Sequence, residues 1–137
     1  MRNGRGLLLV RMSLLVSVYL LDENGNRQFP ETPAGCEELA GFESWRTEVW
    51  GNEAVRALGA RFFPVLAEND LYVTPDQVPD FIRETKVLRA NLASFAPQGV
   101  DERRTREWYL EGISSRLANI QIAAGWALGA GGGIVIW

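Results

Sequence analysis

One stripe of apolar residues near the C-terminus constrains this chain most. Leu110, Ile113, Leu117, Ile120, Ala124 and Leu128 recur at steps of three and four, the spacing that keeps side chains on one face of an α-helix. A helix over residues 101–128 is therefore expected, with Asp101 as its cap and the glycines of 129–133 as its stop. Ile134, Val135, Ile136 and Trp137 then read as a strand. Trp108, Gly112, Ser115, Asn119, Ile122 and Trp126 form a second line on the opposite side of that helix. A helix that is apolar on two sides must be covered on both, by its own chain or by a partner. Tryptophans flanking small polar residues suit close approach. Inside one chain that means another packed element; between chains, tryptophan is a favoured interface anchor.

The rest of the chain supplies elements for this helix to pack on. Residues 13–21, SLLVSVYLL, are apolar on both alternating sets and run into an Asn24-Gly25 turn signal. They read as a central strand entering a hairpin, with a short return strand over 27–29 that Pro30 stops. Residues 30–41 read as a loop with one helical turn over 36–39. Phe42, Trp45 and Val49 fit a helical stripe or, taken as Trp45, Thr47 and Val49, a strand; the helix is preferred. Asn52 is placed to cap a helix over 53–63 that Pro64 ends. Residues 71–73 suit a short strand. Thr74-Pro75-Asp76-Gln77 forms a capping box, opening a helix to about residue 94 along Phe81, Thr85, Leu88, Leu92 and Phe95.

A length of 137 residues suits one domain with one core. The expected fold is α+β: a small sheet with residues 12–21 beside 134–137, packed with three to four helices. Residues 1–11 read as an N-terminal extension to the domain of residues 12–137. They imitate the charged and apolar parts of a signal peptide, but Arg11 interrupts the apolar run and no small-x-small cleavage site follows. The run also falls short of the roughly 20 apolar residues that span a membrane.

The charge is uneven. Residues 22–53 carry eight acids against Arg27 and Arg46, while the net charge of the chain is only −3. An acidic block repels phosphates and attracts basic surfaces, so the expected partner is a protein, basic or a second copy of this chain, and not nucleic acid. A solvated acidic surface explains the same block without a partner. The single cysteine, Cys36, makes a cytoplasmic location the default. The chain has no histidine, which removes histidine-based acid–base chemistry and most zinc sites. No metal and no cofactor is expected.

Each candidate site has a plainer alternative. The glycines of 129–133 follow a helix instead of opening one, the wrong polarity for a phosphate loop. Glu37, Glu38, Glu43, Glu48 and Glu53 could supply a catalytic carboxylate pair, yet nothing in their spacing forces two together. Cys36 beside Glu37 and Glu38 lacks the positive surroundings that activate a thiolate. Arg103, Arg104 and Arg106 stand at the wrong end of a helix dipole and are expected to pair with Asp101, Glu102 and Glu107 or with an acidic surface.

Gly41-Phe42-Glu43-Ser44, Val49-Trp50-Gly51, Arg116-Leu117-Ala118-Asn119-Ile120 and the Gly132–Trp137 end resemble a group of small bacterial α+β proteins, over most of residues 12–137. That resemblance brings no catalytic motif, so no residue role is carried over from it. In size and charge the chain is also similar to immunity proteins that neutralise toxins. The leading expectation is a protein-binding protein of immunity or regulatory type. Its contact residues would be Trp108, Ser115, Asn119, Ile122 and Trp126 on the helix and Glu37, Glu38, Glu43 and Glu48 in the acidic block. The alternatives are a small histidine-free hydrolase or lyase using carboxylates, and a homo-oligomeric module.

Overall fold

The computed structural model describes residues 13–33 and 35–137. The expected extension over residues 1–11, and Met12 at the start of the first strand, lie outside the described residues. The strands are β1 (Ser13–Leu21), β2 (Arg27–Gln28), β3 (Leu39–Phe42), β4 (Leu71–Val73) and β5 (Gly133–Ile136). The helices are α1 (Glu53–Ala57), α2 (Val78–Ala90), α3 (Leu92–Phe95) and α4 (Arg106–Ala130). A π-helical turn spans Arg46–Trp50, and 3-10 turns span Phe63–Ala67 and Pro75–Gln77.

Together they form an α+β fold around one antiparallel sheet of order β2-β1-β5-β4, with β3 also on β1. β1 is central. β5 pairs one edge through Val16–Ile136 and Val18–Ile134, and β2 and β3 share the other edge. The terminal strands thus lie side by side, and Trp137 extends the pairing by exchanging backbone hydrogen bonds with Leu15. Leu14, Val16 and Val18 point into the core, where α4 lies across β1 and against α2. No helix among the described residues is long and apolar enough to cross a membrane.

The long helix differs from expectation at both ends. Its N-cap is Thr105, whose hydroxyl accepts from the Trp108 amide at 3.1 Å. Asp101 instead closes the preceding loop by accepting from the amides of Arg103 and Arg104. The buried stripe is Tyr109, Ile113, Leu117, Ile120, Ala124 and Ala127. Leu110 is half-buried and Leu128 exposed, because both fall at the same angle around the helix, on the margin of the buried stripe. Gly131 ends the helix at φ 70°, a left-handed conformation that favours glycine.

Three further expectations are corrected. The segment 36–39 has no helical turn, and Leu39–Phe42 is a strand, since the free edge of β1 offers backbone partners that a lone turn lacks. The helix over 53–63 stops at Ala57, with Gly59 at φ 88° turning the chain. Pro64 sits in the first turn of the following 3-10 segment, where its missing N–H is harmless. The capping box at Thr74 forms as expected, but the helix it opens breaks at Asn91 instead of running to 94. There the Asn91 side-chain amide donates to the Val87 carbonyl at 2.8 Å and competes with the backbone ladder.

Candidate functional site

The tryptophan-bearing face of α4 is the feature around which a site is built. β3 crosses it midway, pinned where the Asn119 side-chain amide donates to the Leu39 carbonyl at 2.9 Å. β3 therefore covers this face at Asn119, Ser115 and Ile122 on either side stay exposed, and a cleft lies toward each end.

The cleft at the C-terminal end, about 320 Å³, is lined by Trp126, Trp137, Phe29, Cys36, Glu37 and Glu38. Phe29 stacks on Trp137 at 5.4 Å, and the Trp137 indole N–H donates to the Ser17 hydroxyl at 3.2 Å. Glu38 accepts from the Thr32 hydroxyl. Glu37 and Glu38 are both exposed. An aromatic wall with carboxylates on its rim suits a cation.

The cleft at the N-terminal end, about 340 Å³, is lined by Trp108, Phe42, Trp45, Glu111, Ser115 and Arg116. Phe42 stacks on Trp108 at 5.7 Å, and Trp45 meets Trp108 edge-on at 6.0 Å. Gly112 makes this packing possible, because a Cβ there would stand 3.2 Å from the Trp45 ring. The Arg116 guanidinium lies 5.6 Å from the Phe42 ring centre and 5.9 Å from that of Trp45.

The candidate contact residues therefore fall into separate places. Trp126, Glu37 and Glu38 meet at one cleft, and Trp108 and Ser115 at the other. Asn119 holds β3, and Ile122 is exposed. The remaining acids serve the fold. Glu43 pairs with Arg46, which also binds Asp70 at 2.7 Å, and Glu48 accepts from the Tyr109 hydroxyl at 3.3 Å. Arg104 pairs with Asp101. Arg106 donates instead to the Ala93 and Ala96 carbonyls at the end of α3, which accounts for a positive charge at the start of α4. Phe29, Trp137 and Arg116 line the clefts as well, although they were not among the expected contact residues. For Arg116 a signal existed, since Trp108, Gly112 and Arg116 follow one another at four-residue steps.

A wider groove of about 860 Å³ runs between the 58–62 loop and α2. Its central carboxylate, Glu84, is committed to backbone amides of that loop, so the groove is less suited to a charged ligand than the two clefts. Among the described residues no cluster of three or more acidic or thiol side chains is arranged to hold a metal ion. No protein-family model matches the chain, and no curated protein or solved structure matches it.

Burial, and next the neighbouring Glu48 carboxylate, raise the Tyr109 phenol above its usual value near 10. Tyr109 thus holds its proton more tightly folded than unfolded. Its contribution to stability is complete below the free-tyrosine value and is lost as pH rises through the higher folded one. Thermal melts should show the wild type losing stability more steeply above about pH 10 than Tyr109→Phe. Parallel curves would show that this phenol is not linked to folding.

Proposed function

We propose that this chain is a cytoplasmic protein-binding protein, of immunity or regulatory type, that takes a basic segment of its partner at the cleft beside Trp126. The supporting observation is that Trp126, Glu37 and Glu38, far apart in sequence, line one aromatic cleft. A lysine or arginine side chain entering it would meet indole faces and two carboxylates. The aromatic contact contributes about 0.5–2 kcal/mol and each exposed carboxylate about 0.2–1 kcal/mol. The same carboxylates disfavour nucleic acid, whose phosphates they repel. Membership of the small bacterial α+β group rests on the residues quoted for it, above all the Gly41–Ser44 and Gly132–Trp137 stretches, and is part of this reading.

Two-dimensional NMR of the tryptophan indole N–H groups tests it. Hexalysine should shift the Trp126 and Trp137 signals saturably, and hexaglutamate should not. The double variant Glu37→Gln/Glu38→Gln should weaken hexalysine binding roughly two- to tenfold. Equal response to both peptides, or unchanged affinity in the double variant, would sink the proposal.

A further inference from the structure

We infer that the cleft beside Trp108 is an anion site, in which Arg116 takes a carboxylate side chain of the same protein partner. This rests on the reading of the chain as a protein-binding protein, but on a different cleft and the opposite charge.

Arg116 carries the argument. Its Nε–H is buried, and among the described residues no group accepts from it. Among the described residues the guanidinium makes neither a hydrogen bond nor an ion pair. The rings of Phe42 and Trp45 lie beside it. Arg46, also half-buried, shows the usual arrangement, being held by Glu43 and Asp70. A half-buried cation without an anion has lost part of its hydration and has gained only the weaker attraction of aromatic faces. The rings do something else as well: flanking the guanidinium at 5.6 and 5.9 Å, they narrow the space in which the planar fork can move. A fork confined in advance loses less freedom when it binds.

The chemistry selects a carboxylate. The guanidinium presents parallel N–H groups that match its two oxygens. A phosphate dianion would call for more positive charge, and this cleft offers one arginine with Glu111 on its wall. Ser115, exposed on the same wall, supplies a hydroxyl donor beside it. Arg116 and Trp126 stand ten residues apart on α4, about 15 Å at 1.5 Å per residue. The partner would then carry an acidic and a basic side chain at that separation, about five residues apart if extended. Opposite charges at the two ends of one face would fix the direction in which the partner lies across β3.

Hexaglutamate is the probe, read at the Trp108 and Trp45 indole N–H signals. It should shift both saturably. Arg116→Met, which keeps the apolar stem, should weaken binding about tenfold, the effect of losing a charge-assisted pair. Glu111→Gln should strengthen it about twofold by removing a competing carboxylate. If Arg116→Met does not fold, Arg116→Lys decides the question: with the charge kept and the fork lost, binding should still weaken several-fold. Unchanged hexaglutamate affinity in a folded Arg116 variant, or shifts absent from Trp108, would overturn the inference. Hexalysine at Trp126, measured on the same samples, reports the other cleft separately. If its response fails while that of Trp108 persists, the basic-segment reading falls and the anion site stands; the reverse pattern removes the anion site alone.

Discussion

Trp45→Ala will lower the free energy of unfolding by about 3–5 kcal/mol, the usual range for deleting a fully buried tryptophan. Trp45 is 1% exposed and sits at the centre of an aromatic cluster, edge-on to Phe42 at 5.5 Å, Trp50 at 5.9 Å and Trp108 at 6.0 Å. Its neighbours cannot close the gap easily. Trp50 is itself fully buried, with its indole N–H donating to the Ala40 carbonyl at 3.0 Å. Gly112 has no side chain to move in. Urea denaturation checks the prediction: the midpoint should fall while the slope stays constant. Trp108→Ala, at a half-buried position, should fall less, by about 1–2 kcal/mol. A loss below about 1 kcal/mol for Trp45→Ala would show that this cluster is peripheral. Trp45→Ala should also weaken hexaglutamate binding, because Trp45 lines the cleft beside Arg116.

What was legible in the residues was the part set by period. The three- and four-residue steps along α4 and α2, the apolar run of β1 and the Asn52 and Thr74 caps all act within a few residues of themselves. The sheet with both terminal strands followed from them, because two apolar strands and one long apolar helix have few ways to bury their faces. β3 was hidden because Leu39–Phe42 sits in a stretch of glycine, proline and acid, and it exists only by pairing with β1. The covering of the α4 tryptophan face followed from that omission. Without β3 the face reads as one open surface; with it, the face becomes two clefts. The acidic block was likewise legible as charge and not as geometry. Glu43 and Glu48 are drawn inward by Arg46 and Tyr109, partners that no local spacing announces for Glu48, while Glu37 and Glu38 stay at the surface.

Glu84→Ala will destabilise the protein by about 2–4 kcal/mol, although Glu84 lies on a surface groove and resembles any helical glutamate. Its carboxylate holds the entrance to the Phe63–Ala67 turn. One oxygen accepts from the Arg61 amide at 2.6 Å; the other accepts from those of Phe62 and Phe63 at 3.0 and 2.9 Å. The Phe62 and Phe63 amides stand at the start of the 3-10 turn and have no partner within it. An alanine leaves them to water where water can reach and unpaired where it cannot, and Phe63 is fully buried. The loop also positions Phe62 and Phe63 against Phe81, at 5.6 and 5.3 Å, and Phe63 against Trp50 at 4.9 Å. Losing the anchor therefore loosens aromatic packing on α2 as well. Glu84→Gln keeps one acceptor oxygen and turns an amide N–H toward the remaining donors, so it should fall between, at about 1–2 kcal/mol. Hydrogen exchange gives the site-specific readout: amides 61–63 should lose protection in both variants before the amides of α2 do. If Glu84→Ala stays within about 0.5 kcal/mol of wild type, the loop is held by its phenylalanines alone and the carboxylate is incidental.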